Sequence, residues 1–410
     1  MLLSIALILI IAISLNAIFL KLKIPGLIAF IITGIILGPH VLELIDPNIL
    51  AISLDLREIA LIVILLRAGL TLDLKDLKKV GKSAILLSFV PATLEILLIA
   101  FVSPVFFDIS LLEGFMLGSI VTAVSPAVVV PRMIHFIEKK VGTNKQIPQM
   151  ILAGASIDDI YAIVVFTVCL QIYQTNSFSA LTLVLFPVTL IVSLILGIGI
   201  GLLLVKIFKL LHIRDTLKVL IIFGVSFLLI VLEGFMKDYF AISGLLAVIA
   251  LGGAILKQYP ILAGRLTSKF SKIWVAAEIM LFVLVGAAVD ITIFKTVGLL
   301  AVALVFLGLL IRMVGVILSI GNTNLNNKEK LFTCLSYLPK ATVQAAIGSI
   351  PLAYGVPAGN LILTISVLAI FISAPLGAIA MDNLNQKLLV TEIEELEESE
   401  DTTNILEQTI

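Results

Sequence analysis

Thirteen apolar stretches divide the 410-residue chain, and they leave it few possible folds. They run at about residues 2–20, 25–43, 57–72, 82–103, 111–136, 148–172, 180–206, 217–235, 239–256, 273–293, 296–320, 329–352 and 358–381. At about 1.5 Å per helical residue, such lengths suit a hydrocarbon core roughly 30 Å thick. Lipid offers no partner for a free backbone amide, so a spanning segment must be a helix or part of a closed barrel. A hydrophobic share of 60% against 13% charged residues exceeds what any soluble core needs. The expected fold is therefore all-α and polytopic, with about 13 transmembrane helices. The first stretch has no charged segment before it and no small-residue cleavage site after it, so it is expected to remain as a helix.

The loop cations set an orientation. Lys21 and Lys23 open a series of basic loops that continues with Lys75, Lys78, Lys79 and Lys82, then Arg132, Lys139, Lys140 and Lys145. Further basic loops hold Lys206, Lys209, Arg214 and Lys218; Lys257, Arg265, Lys269 and Lys272; and Lys328 and Lys330. The alternate loops and their edges hold only Arg57, Lys237 and Lys295. Cations collect on the cytoplasmic side, which puts the N-terminus outside and the C-terminus inside. From Asp382 onward the chain is an acidic tail, with Glu392, Glu394, Glu395, Glu397, Glu398, Glu400 and Asp401, and is expected to be solvated. Zero net charge and the lack of a basic stripe argue against a nucleic-acid partner. Cys169 and Cys334 lie in apolar segments without metal-ligand spacing and read as packing residues. No cofactor motif, phosphate-binding loop or enzymatic constellation stands out, which disfavours an enzyme and an ATP-driven pump alike.

Asp158 and Asp159 are adjacent in the middle of the stretch from Pro148 to Ile172. Carboxylates at bilayer depth cost several kcal/mol and mark functional sites. Around them the sequence offers only hard oxygen donors: the hydroxyls of Thr122, Ser125 and Ser156 and any carbonyls freed near Thr122. Such a set suits a monovalent metal cation such as Na+ or Li+. Two carboxylates in contact also resist ionising together, so a proton and a cation would compete for one site. Glu95, Arg312 and Lys340 are further intramembrane charges that need partners or a wet cavity.

An internal repeat at an offset of 217 residues pairs Gly69 with Gly286, Asp73 with Asp290, and Glu95 with Arg312. The copies are seven apolar stretches apart, an odd number, so they run oppositely across the membrane. Glu95 and Arg312 should then form a salt bridge across the pseudo-two-fold axis, which a charge exchange between the two positions would test. The stretch after each of these segments is interrupted, by Thr122-Ala123-Val124-Ser125-Pro126 in the first copy and by Pro339-Lys340-Ala341-Thr342, with Gln344 beyond, in the second. Proline removes an amide donor and clashes with the preceding turn. Two broken helices that cross near the aspartates could satisfy each other's freed backbone. Lys340 would then offset helix C-terminal dipoles or pair with Asp158, while Arg67 would reach towards the cytoplasmic interface.

The segments Gly118 to Pro131, Ala153 to Ile160 and Leu338 to Ser349 together resemble the NHA-type branch of the cation/proton antiporter superfamily. The resemblance covers nearly all of the membrane region and stops before the acidic tail. It implies a homodimer in the cell membrane that exchanges Na+ or Li+ for H+. Dimerisation helices would lie at about 1–72 and 217–293, moving core helices at about 82–172 and 296–381, and a linker helix at about 180–206. It also implies that Asp159 is the main cation and proton carrier, with Asp158 its neighbour. Many bacterial relatives carry an aspartate where this chain has Ser125 and a lysine where it has Arg312. Because arginine does not release its proton, one-for-one electroneutral exchange is expected.

Two rival readings follow from the same residues. A sodium-coupled symporter for an organic anion would need a cationic substrate pocket, which the adjacent acids disfavour. A channel or cation sensor would need a continuous polar pore, whereas the charges gather at one depth. His135 and His212 beside basic loops, and His40 on the other side, could sense pH, although loop histidines are ordinarily just solvated.

Overall fold

The computed structural model describes residues 1–22, 24–71, 81–175, 180–211, 213–236, 242–290 and 292–389. Lys23, Asp73, Lys75, Lys78, Lys79, His212, Lys237 and the acidic run from Glu392 to Asp401 lie outside the described residues. Among the described residues every regular element is a helix. In chain order these are α1 (Leu2–Lys21), α2 (Gly26–Leu37), α3 (Pro47–Ala51), α4 (Ser53–Thr71), α5 (Lys82–Phe107), α6 (Leu111–Thr122), α7 (Pro126–Glu138), α8 (Ile147–Thr175) and α9 (Ala180–Leu210). There follow α10 (Asp215–Met236), α11 (Gly244–Gln258), α12 (Pro260–Ala287), α13 (Ile293–Ser319), α14 (Asn327–Ser336), α15 (Thr342–Ile347), α16 (Ile350–Ala353) and α17 (Gly359–Leu388). Nine spans among the described residues are long and apolar enough to cross a membrane, with α6 and α7 counted as one.

The helices sort into two bundles. In one, α12 packs on α2 and α4, α11 on α4 and α9, and α1 on α2, with α10 against α11 and α12. In the other, α5 packs on α6, α8 and α13, and α17 packs on α13, α14 and α16. The bundles meet where α15 touches both α4 and α12. The repeat glycines define the first bundle's crossings. A Cβ on Gly69 of α4 would lie 2.3 Å from the Ile249 carbonyl oxygen of α11, and one on Gly286 of α12 would lie 2.1 Å from the Ile31 carbonyl oxygen of α2. Because α4 and α12 are repeat partners, the same close crossing is made once in each copy. Gly69→Ala or Gly286→Ala must push two backbones apart, at a cost of about 1–3 kcal/mol. The thermal midpoint in detergent is expected to fall for both, while Gly264→Ala, whose added Cβ meets nothing within 4 Å, leaves it unchanged.

The broken helices also start alike. Ser110 caps α6 by accepting from the Glu113 amide at 3.2 Å while Glu113 accepts the Ser110 amide at 2.8 Å. Asn326 and Glu329 repeat that capping box at α14, one residue off the repeat spacing, with bonds of 2.9 and 2.7 Å. Each glutamate also reaches outside its own helix. Glu113 takes the Ala358 amide at 2.9 Å, and Glu329 takes the Lys145 ammonium at 3.0 Å.

Two sequence boundaries need correcting. The stretch read as 273–293 begins at Pro260, because Arg265, Lys269 and Lys272 lower its hydropathy without interrupting the helix. The tail placed from Asp382 starts as helix: α17 continues to Leu388, and Arg132 grips both Asp382 carboxylate oxygens at 2.8 Å.

Candidate functional site

Both helix breaks fall at one crossing, where each supplies what the other lacks. The α6 helix ends at Thr122, leaving carbonyls that cannot continue the helical ladder. Gln344 of α15 donates its side-chain amide to the carbonyls of Ile120 at 3.0 Å, Val121 at 3.1 Å and Ala123 at 2.8 Å. The Lys340 ammonium takes the Thr122 carbonyl at 2.6 Å. In return the Ser125 amide donates to the Pro339 carbonyl at 2.8 Å, and the Lys340 amide is held by the Ser373 hydroxyl at 3.0 Å. Protein groups thus meet the backbone freed at both breaks, as a hydrocarbon surrounding without hydrogen-bond partners requires.

Five charged side chains converge here. Arg312 of α13 is fully buried and uses every face of its guanidinium. Its Nε donates to the Tyr337 carbonyl at 2.9 Å, and its Nη1 donates to Glu95 at 2.8 Å and to the Thr122 hydroxyl at 3.0 Å. Its Nη2 meets both oxygens of Asp158 at 2.8 Å. Asp158 also accepts the Val124 amide at 2.9 Å. Lys340 bonds to Glu95 at 2.7 Å, so of the two sequence readings it answers the helix-end carbonyls, and its carboxylate partner is Glu95, not Asp158.

The two aspartates are thus unequal. Asp158 is closed off by Arg312 and an amide, whereas Asp159 keeps a buried Oδ1 with no hydrogen-bond partner among the described residues. The hydroxyl donors divide in the same way. Thr122 is committed to Glu95 at 3.0 Å and to Arg312, and Ser156 donates to the Leu152 carbonyl of its own helix at 2.8 Å. Ser125 is buried with its hydroxyl unpartnered. Of the oxygen donors expected from the sequence, Asp159 Oδ1 and the Ser125 hydroxyl are those without a hydrogen-bond partner among the described residues, while the Ser156 oxygen, having donated its proton, keeps its lone pairs.

Several contributors escape sequence reasoning. The Val124 amide and the Tyr337 carbonyl have no side-chain signature. Tyr337 is packed so tightly on α8 that a Cβ at Gly154 would lie 2.0 Å from its hydroxyl, which fixes the carbonyl that orients Arg312. Away from the crossing, Arg67 lies over the Trp274 ring at 5.8 Å, and Cys169 and Cys334 are buried free thiols. His40 and His135 are exposed.

A family model described as "Sodium/hydrogen exchanger, transmembrane" matches residues 5–382. The chain belongs to the sodium/hydrogen exchanger family. Within that family it is similar to sodium/hydrogen exchanger 9B2 of Mus musculus, with 36% identity over 358 residues covering 82% of this chain and 63% of the relative. The Homo sapiens 9B2 exchanger is 34% identical over 360 residues, covering 82% and 64%. The chain therefore spans less than two thirds of the length of these exchangers. Among solved structures, the sodium proton antiporter MjNhaP1 from Methanocaldococcus jannaschii matches with a TM-score of 0.77 at 21% identity, covering 93% of this chain and 98% of that one. At that identity the likeness establishes a shared antiporter fold.

Proposed function

We propose that this chain exchanges Na+ or Li+ for H+ across a cell membrane, with Asp159 carrying either ion. The observation behind this is the charge balance of the crossing. Glu95 and Asp158 are matched by Arg312 and Lys340 through the bonds given above, so the cluster is neutral without Asp159. An ionised Asp159 adds one uncompensated negative charge, which is costly at low dielectric. Binding one proton or one monovalent cation removes that charge. The loaded site can then cross the membrane in either form, while the empty site crosses poorly, and this couples the two fluxes. Ser125 supplies a neutral oxygen for a hard cation.

The movement is an elevator: the bundle of α5 to α8 and α13 to α17 carries the site against the bundle formed by α1, α2, α4 and α10 to α12, with α9 as linker. The latter bundle supports a homodimer. The N-terminus lies outside and the C-terminus in the cytoplasm, in keeping with the basic loops. The relatives' names as sodium/hydrogen exchangers support the cation. One cation exchanges for one proton, because Arg312 holds Asp158 and does not release a proton of its own.

Proteoliposomes with a preset pH gradient test this reading. Na+ or Li+ added outside is expected to dissipate the gradient at a rate insensitive to an imposed membrane potential. A current that follows the sodium gradient would overturn the one-for-one ratio. No cation-dependent dissipation by correctly folded protein would overturn exchange itself.

A further inference from the structure

Away from the crossing, three consecutive residues at the start of α11 are each held by a different part of the molecule. The Ile242 carbonyl accepts the side-chain amide of Gln171 of α8 at 3.4 Å. The Ser243 amide donates to the Ser193 hydroxyl of α9 at 2.7 Å, and the Gly244 amide donates to Glu233 of α10 at 2.8 Å. Gln171 belongs to the bundle built on α5, Ser193 to the helix that joins the bundles in sequence, and Glu233 to the bundle built on α12. The bond from Gln171 therefore crosses the seam between the two bundles.

A second approach crosses the same seam. Glu233 and Glu58 of α4 lie close enough to repel each other, and both carboxylates act on the hydroxyl of Tyr354, which follows α16 in the other bundle. A phenol hydroxyl can donate to a carboxylate, and two neighbouring carboxylates gain from such a donor. Tyr354 is presented by its own bundle. The Tyr173 hydroxyl, two residues beyond Gln171 on α8, donates to the Gly355 carbonyl at 3.0 Å, and Glu113 takes the Ala358 amide. These two bonds stay inside the bundle and brace the turn beside Tyr354, where Gly355 has φ +73°.

The helix ends give the side of the membrane. Lys145 stands beside the far end of α8, Lys218 in the far turn of α10 and Lys257 in the far turn of α11. The seam contacts therefore lie on the face opposite the basic loops. A hydrogen bond does not survive stretching much beyond about 3.5 Å. A shift of one bundle against the other by a single helical turn, about 5.4 Å, breaks the bond from Gln171 and carries Tyr354 away from the acid pair. Both contacts belong to the present arrangement of the bundles and to none displaced by a turn.

We infer that Gln171 and Tyr354 form a latch, which ties the moving bundle to Ile242 and to the Glu58–Glu233 pair while the face opposite the basic loops is shut, and lets go when that face opens. Ser193 and Glu233 hold the receiving backbone in place from the other side, so the latch closes on a fixed target. The inference rests on the elevator reading given above.

Hydrogen exchange of the purified full chain, read by mass spectrometry, and flux in proteoliposomes test the latch separately. Gln171→Leu nearly keeps the side-chain volume and removes the donor. The amides of Ser243 to Leu246 and of Tyr354 to Ala358 are expected to exchange about three- to tenfold faster, as the loss of one hydrogen bond allows, while those of α5 stay unchanged. Gln171→Lys keeps a donor and brings a cation towards Glu58 and Glu233, so exchange there should match wild type or be slower. Unchanged exchange in Gln171→Leu, or equal acceleration in both variants, would overturn the latch. In flux, Gln171→Leu should lower the half-saturating Na+ concentration on the face opposite the basic loops about three- to tenfold relative to the other face. Faster exchange without that shift would make the contact a static staple and overturn its release. Absence of cation-dependent flux in the wild-type protein would sink the transport reading instead, and the exchange comparison still decides whether the seam opens at Gln171.

Discussion

Arg312→Met is expected to destabilise the protein by about 3–5 kcal/mol, the usual cost of removing one partner from a buried ion pair. The reason is the number of elements that depend on this side chain. Arg312 on α13 holds Glu95 of α5, the hydroxyl of Thr122 at the end of α6, Asp158 of α8 and the Tyr337 carbonyl before the second break. Its loss strands Asp158 without a cation and leaves Glu95 with Lys340 alone. The protein should extract poorly and melt early in detergent. Arg312→Lys should recover only part of this, because an ammonium cannot replace a planar fork that serves two carboxylates and a carbonyl together. The geometry also changes what a charge exchange would do. A simple Glu95–Arg312 pair would tolerate the swap, but a glutamate placed at 312 would face Asp158, so Glu95→Arg/Arg312→Glu is expected to stay defective. Full recovery of stability and transport by that swap would contradict the three-way arrangement.

Asp159→Asn is expected to behave in the opposite way, with cation-dependent flux at the level of protein-free vesicles and stability at or above wild type. The Asp159 Oδ1 atom is buried without a hydrogen-bond partner among the described residues, so the neutral amide removes an uncompensated charge and breaks no ion pair. Asp158→Asn removes a charge that Arg312 requires and should lower the thermal midpoint markedly. These two neighbouring, chemically identical substitutions therefore separate carrier from scaffold. Melting curves in detergent, measured beside flux in proteoliposomes, read both properties. Equal effects on stability would mean that the two carboxylates share the arginine, against the geometry described.

Much of this arrangement was legible in the sequence because low-dielectric surroundings allow few choices. Runs of apolar residues had to be helices. Thr122 to Pro126 and Pro339 to Thr342 could not continue a helix, and their matching positions in the two repeats pointed to a single crossing. Glu95 and Arg312 were juxtaposed by the repeat, and they lie 2.8 Å apart. What the sequence did not carry was the division of labour within the cluster. Whether Arg312 also reaches Asp158, and whether Lys340 turns to Glu95, depends on side-chain directions set by the packing of four helices. Nor could spacing show that Thr122 would be consumed by the ion-pair network while Ser125 stayed free. The α12 boundary was missed for a different reason: hydropathy reports the lipid-facing part of a helix and is blind to its basic extension through Arg265, Lys269 and Lys272.

The central claim is that one carboxyl group holds either a proton or a cation. The most direct measurement is the number of protons released when Na+ binds to purified protein in weakly buffered detergent solution, at a pH where Asp159 is protonated. Close to one proton per bound cation is predicted for the native chain, with neither binding nor release in Asp159→Asn. Sodium binding without proton release, or release that persists unchanged in Asp159→Asn, would contradict the account.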